Sequence, residues 1–458
     1  MRIKELHLKN FRGFKELEIK FPDSNLVVFV GINGAGKSSL LDCITMFLSQ
    51  FVSLLCNKNS RGNEFVITEN DINIEAEETG NIITVDGFYN PKSDEDTFSW
   101  MMVKSLSSRK HHETYPTTPS LYSSQVYQRI SENPHSNLTV LAYYQNQKIF
   151  LEKPAKSKKK DYEFSQFYAY ENAFKKGVHD FNDFAAWFRL EEDWENEKKL
   201  EKGLDFINKN LEVVRRAIQT FLEKIPLAGL SNLHVVRTKR DKPFRFDTAH
   251  ESSLVIEKAG ESLKIEQLSD GEKMLLLVVS DLARRLSIAN PGLDDALQGK
   301  GIVLIDEIDL HLHPQWQREV INALRRTFPN CQFITTTHSP QVLSNVEKEN
   351  ILILEDYKIV GKTPFTYGRD SNSILYDLMN VEERPAKVKE EIDKLYRLID
   401  AEKVDEARME LEKLANVLGE DDNEIIRANM YINFIASGGQ GDSFRENRPP
   451  GPPAKAFY

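Results

Sequence analysis

Cysteine is scarce in this chain, and the three that occur, Cys43, Cys56 and Cys331, are scattered singly through 458 residues. No disulfide framework is expected from them, and no Cys/His cluster completes a closed zinc site. A secretory leader is lacking, as is an apolar run long enough to span a bilayer, so the chain reads as cytoplasmic with no membrane partner. Positive charge is in the minority: 60 Lys and Arg stand against 70 Asp and Glu, a formal net charge of −10. Non-specific duplex binding is driven by basic surface, so a strong autonomous grip on DNA is not expected. Nowhere do three or four heptads follow one another, which excludes long coiled-coil arms.

What is present is concentrated in four short stretches: GINGAGKS at residues 31–38, LSDGEK at 268–273, GIVLIDEID at 301–309 and TTHSP at 336–340. Residues 26–30 are wholly apolar, as a strand buried on both faces of a parallel sheet would be, and a helix should begin at Lys37. Between them Gly31, Gly34 and Gly36 let the backbone fold so that successive N–H groups and the helix N-terminus converge on one anion. In a loop of this Walker A spacing Lys37 reaches the β- and γ-phosphates of a nucleotide, and the Ser38 hydroxyl ligates Mg²⁺. Asn33, Gly34, Gly36, Lys37, Ser38 and Ser39 are therefore the residues of this loop expected at ATP. A bare glycine-rich turn is the alternative, and the full G-x-x-x-x-G-K-S spacing argues against it.

Residues 302–305 form a second apolar strand that delivers Asp306 and Glu307 at its carboxyl end, where open α/β sheets place their ligands. Asp306 is the expected outer ligand of Mg²⁺, and Glu307 the candidate general base for an attacking water. Asp309 closes the same segment and is expected at the nucleotide. Residues 333–337 read as the next strand, with His338 at its end, where a histidine can hydrogen-bond the γ-phosphate and report its presence. His311 and His313 suggest a metal at first sight; without a completing cluster they are read as subunit-interface residues. Ser269 and Gly271 stand at the start of an apolar helix, residues 274–286, whose N-terminus is a ready anion site.

Together the four motifs resemble the ABC-type ATPases that include RecF and the SMC group. The opening segment, residues 3–21, strengthens the likeness with two alternating strands around Asn10-Phe11-Arg12-Gly13. The match covers roughly residues 1–48 and 265–384. It implies an α/β ATPase head with a mixed sheet and flanking helices, closing on ATP as a homodimer, so that Ser269, Gly271 and Glu272 contact the nucleotide of the opposite subunit. It also puts Arg12 near the nucleotide, and makes Gln145 or Gln147 the glutamine that touches Mg²⁺. Asp270 and Glu272 depart from the usual LSGGQ signature; extra carboxylates there weaken phosphate binding or slow turnover unless a counter-charge such as Lys273 offsets them.

The organisation expected is residues 1–150 and 261–380 as the two parts of the head, 151–260 as an inserted, largely helical lobe, 381–436 as a helical C-terminal region and 437–458 as a Gly/Pro-rich tail. Strands are expected near 65–67, 81–89 and 138–144. The run Lys153, Lys156, Lys158, Lys159 and Lys160 reads as a solvated loop before it reads as a phosphate contact. Phe164, Phe167, Tyr168, Tyr170, Phe174, Phe181, Phe184, Trp187 and Phe188 recur at helical spacing and read as core rather than as base-stacking platforms. The tail is either disordered or a linear docking segment. No second acidic cluster follows His338, so no nuclease activity of the chain's own is expected. The phrase YGRDSNSIL at 367–375, with Glu383-Arg384-Pro385 after it, resembles the PtuA-type ATPase subunits of Septu anti-phage defence systems. That resemblance implies a separate HNH-type nuclease as partner and nucleic acid met through the complex. A RecF-like repair ATPase that binds DNA directly is the rival.

Overall fold

The computed structural model describes residues 1–56, 66–86, 97–106, 117–145, 165–174, 181–225, 229–239, 250–360, 364–379 and 384–437. Gln147, the lysine run, Phe164 and residues 438–458 lie outside them. Two compact units result, residues 1–379 and 380–458.

In the first unit the chain begins with β1 (Arg2–Phe11), β2 (Phe14–Lys20), β3 (Leu26–Val30) and α1 (Lys37–Cys56). It continues through β4 (Glu78–Asp86), β5 (Thr97–Ser105), α2 (Thr117–Glu132), β6 (Val140–Tyr144), α3 (Phe181–Lys202) and α4 (Lys209–Leu222). Then come β7 (Leu230–Lys239), β8 (His250–Lys258), β9 (Glu261–Lys264), α5 (Asp270–Ala289), β10 (Gly301–Ile305) and α6 (Pro314–Thr327). The unit closes with β11 (Cys331–Thr337), α7 (Pro340–Leu343), β12 (Ile351–Glu355), β13 (Lys358–Ile359) and α8 (Ser371–Met379).

The central sheet runs β13-β12-β3-β11-β10-β6, with only β13 antiparallel. β3, β6, β10 and β11 are buried at every position, which is why they read as unbroken apolar runs or, in β11, as buried threonines. Because these strands are parallel, their carboxyl ends share one edge. β2-β1-β4-β5 form an antiparallel sheet and β7-β8-β9 a smaller one. This is the α/β architecture, a mixed sheet with flanking helices, expected from the motifs.

α1 is long and apolar enough to cross a membrane by length and composition, against the expectation that no stretch reaches that length. Leu40, Leu41, Ile44, Phe47, Leu48, Phe51 and Leu55 are all buried, which makes it a core helix. Residues 66–68 form no strand, contrary to expectation. The 151–260 stretch is helical in α3 and α4, but β7, β8 and most of the turn to β9 follow, and its buried aromatics Phe167, Phe184 and Phe188 belong to the same core as the sheet. Helical spacing told which faces are buried and not what they pack on.

α5 is buried on nearly all sides and carries an ion cluster into the core. Asp281 accepts from Arg284 (2.7 Å), Arg285 (2.7 Å) and the Tyr144 hydroxyl (3.0 Å), while Arg285 also donates to the carbonyls of Ala169 and Glu171. Burial opposes the Asp281 charge, but Arg285 and Arg284 outweigh it and hold the carboxyl well below the usual range. Asp281→Asn leaves two buried guanidinium groups short of a counter-charge and should cost about 3–5 kcal/mol in urea unfolding. The wild-type contribution is complete above the unfolded carboxyl pKa of about 4 and drains away as pH falls toward the depressed folded value. A loss below about 1 kcal/mol would show that solvent screens the cluster.

The second unit holds α9 (Ala386–Asp400), α10 (Val404–Leu418) and α11 (Asn423–Ala436), packed around Leu395, Ile399, Leu411, Leu414, Ile425 and Ile432. Asp422 caps α11 and accepts both hydrogen bonds of Arg384 (3.0 and 2.9 Å), which ties the entry of the bundle to its last helix.

Candidate nucleotide site

The carboxyl ends of β3, β6, β10 and β11 deliver the glycine-rich loop, Gln145, the Asp306-Glu307 pair and His338 to one edge of the sheet. β6 pairs with β10 so that Ile305 lies opposite Tyr144, and the Asp306 amide donates to the Tyr144 carbonyl (2.9 Å). That register brings Gln145 beside Asp306 across a gap in sequence that no local pattern spans.

Ile32, Asn33, Gly34 and Ser38 are exposed on the loop, whereas Lys37 is buried. Gly36 has φ +102°, and a Cβ there would sit 2.6 Å from Phe14 Cζ, so only glycine fits. Lys37 Nζ donates to the carbonyls of Gly31 (2.8 Å) and Ile32 (3.1 Å). Burial lowers the Lys37 pKa, while Asp306, Glu307 and Asp309 pull it back up. Burial and the Lys37 charge lower that of His338 against the same three carboxylates, so its ring is neutral at pH 7. Lys37, His338 and the acidic segment thus share one electrostatic environment.

The acidic segment is knit to β11 residue by residue. The Thr336 hydroxyl donates to Asp306 Oδ1 (2.6 Å) and accepts the Glu307 amide (2.7 Å); Thr337 donates to Asp309 Oδ1 (2.5 Å), which also accepts the His338 amide (3.3 Å). His313 caps α6 through its Nδ1, and His311 lies in the loop before it. Among the described residues no group of three or more His, Cys, Asp or Glu is gathered for a metal held by protein ligands alone.

Residues 1–343 match the family model for the AAA ATPase domain. The chain belongs to this family. A retron Vc95 probable ATPase from Vibrio cholerae serotype O1 biovar El Tor is 30% identical over 86% of this chain and 81% of its own length. A retron Ec83 probable ATPase from Escherichia coli is 28% identical over 94% of this chain and 86% of its own. Septu protein PtuA from Bacillus mycoides is 36% identical over 24% of this chain and 16% of its own.

In this AAA ATPase domain the signature segment is a helix start. Ser269 is the exposed N-cap of α5 and forms a capping box with Glu272: the Ser269 amide and hydroxyl donate to Glu272 Oε2 (2.9 and 2.8 Å). Glu272 Oε1 accepts from Lys258 (2.9 Å). The buried Glu272 carboxylate is therefore engaged within the chain, and its counter-charge is Lys258 from β8; Lys273 pairs with Asp270 instead (3.5 Å). A Cβ on Gly271 would lie 2.4 Å from the His311 carbonyl, so glycine lets the signature helix pack on the loop after the acid pair.

Arg12, at φ +50°, donates to Asp42 (2.8 Å), Asp71 (2.9 Å) and Ser39 Oγ (3.2 Å). Asp42 also meets the Tyr143 hydroxyl (3.4 Å) and Gln145 Nε2 (3.5 Å). Asp42 on α1 thus joins Arg12 to Gln145, and Ser39 is reached through Arg12. Sequence reasoning missed Asp42, Lys258, Thr336 and Thr337; the two threonines carried a signal, since hydroxyls in a strand buried on both faces need partners.

Proposed function

We propose that this chain is an ABC-type ATP-binding subunit of a bacterial defence system, which closes as a homodimer on ATP and through that closure restrains or licenses a separate HNH-type nuclease. The convergence of four strand ends on a phosphate loop supports this most, with the exposed Ser269 helix start available to a second copy. The retron ATPases that span most of the chain, and the shorter Septu match, support the defence setting. The donor set suits Mg²⁺ and ATP: a buried ammonium, a helix N-terminus, and oxygen donors from Ser38, Asp306 and Gln145. Bound Mg²⁺ supplies charge neutralisation at the γ-phosphate. Glu307 accepts the proton of the attacking water, and neutral His338 offers one ring N–H toward the phosphate.

Ser269→Arg should leave nucleotide affinity within about 3-fold, since each protomer keeps its own loop, and abolish the ATP-dependent dimer by placing bulk at the exposed cap. An unchanged dimer in light scattering would remove the shared site. The whole proposal is tested by multi-angle light scattering of the chain, alone and co-expressed with the protein encoded beside it, with and without Mg·ATP. A stable complex whose size or nuclease activity responds to ATP is expected. A lone dimer that ignores its neighbour and shifts duplex DNA in a salt-sensitive way would overturn it in favour of direct action on DNA.

A further inference from the structure

One buried hydroxyl lies between the two carboxylate residues on which the proposed chemistry depends. Thr336 is fully buried, and its Oγ1 uses its single proton on Asp306 Oδ1 while its lone pair takes the Glu307 amide. Its own carbonyl accepts the next amide, that of Ile308, at 3.0 Å. These bonds act on an unusual backbone: Glu307 has φ +49°, a left-handed conformation that residues other than glycine seldom adopt and that persists where neighbours fix it. Thr336 supplies two consecutive anchors for that turn from one strand position. It also holds Asp306 by one carboxylate oxygen, Oδ1.

We infer that Thr336 is a positioning residue of the nucleotide site, orienting Asp306 toward Mg²⁺ and pinning the left-handed turn from which Glu307 presents its carboxylate. The inference rests on the ATP reading above for its catalytic meaning, while the pinning itself is a property of the chain alone. Groups that orient metal ligands by hydrogen bonds typically change metal affinity or activity about 10–100-fold when removed.

The test compares Thr336→Val, which keeps the branched shape and removes the hydroxyl, with Thr336→Ser, which keeps the hydroxyl. Three readouts are taken on the full chain: deuterium exchange of the 306–312 segment without nucleotide, the Mg²⁺ midpoint for binding a fluorescent ATP analogue, and kcat against KM. Thr336→Val should speed exchange of that segment about 10-fold or more, raise the Mg²⁺ midpoint about 10-fold, and lower kcat about 10–100-fold with KM within about 3-fold. Thr336→Ser should stay within about 3-fold of wild type throughout. Wild-type exchange and Mg²⁺ midpoint in Thr336→Val, or a Thr336→Ser protein as impaired as Thr336→Val, would overturn the assignment. If Thr336→Val fails to fold by circular dichroism, Thr336→Cys takes its place, with the same two outcomes. A wild-type chain that binds no nucleotide sinks the ATP reading, and the exchange measurement still decides whether Thr336 pins the turn.

Discussion

Lys37→Ala should reduce nucleotide affinity by about 100-fold or more, to the edge of detection in calorimetry or with a fluorescent ATP analogue. A charge-assisted hydrogen bond to phosphate is worth up to about 3 kcal/mol, which alone is about 100-fold. Here the loss is compounded by what remains. Lys37 is only 6% exposed and shares its surroundings with Asp306, Glu307 and Asp309. Without the ammonium, an anionic triphosphate would approach three carboxylates with no buried cation to offset them. Two carbonyls that now accept from Lys37, those of Gly31 and Ile32, would also lose their donor. The pH dependence has a definite sign: burial lowers the lysine pKa, so wild-type binding should weaken as pH rises through a value below the ordinary 10.5. Wild-type affinity in the alanine variant would mean that the loop binds no phosphate.

The candidate nucleotide site was legible where its parts are contiguous in sequence. The loop after Val30, the acid pair after Ile305 and the histidine after Thr337 each follow a strand buried on both faces, so an apolar run and a change of composition mark the spot. What joins these parts was not legible. Parallel pairing of β6 with β10 leaves no turn signal, and the neighbourhood of Gln145 and Asp306 is set by that register alone. The same holds for Lys258, which neutralises Glu272 from a hairpin within the stretch expected to be largely helical; the β-branched residues Val235, Val236, Val255 and Ile256 are the available sign. Asp281 and its two arginines carry no local signal in the helix expected as apolar, because spacing cannot show that nearly all faces of α5 are covered. Glu307 is a different case. Its identity was plain from the motif, but its left-handed backbone, and the threonine that holds it, are properties of the folded turn.

Glu307→Gln should separate binding from turnover. Glutamine keeps the shape and the backbone amide that donates to Thr336, so the turn is retained, but it cannot accept a proton. Loss of a general base lowers turnover about 10²–10⁴-fold. Affinity should hold or rise, since one negative charge is removed from the group that includes Asp306 and Asp309 while Lys37 stays in place. His338 is not disturbed in sign: Glu307 is among the carboxylates that raise its pKa, so removing that charge leaves the pKa lowered. With binding intact and the exit by hydrolysis closed, the nucleotide-bound arrangement accumulates, and a dimer that is transient in wild type should become the stable species in light scattering with Mg·ATP. Phosphate release measured on the same samples gives the second arm. If turnover and oligomeric state both matched wild type, Glu307 would not be the base.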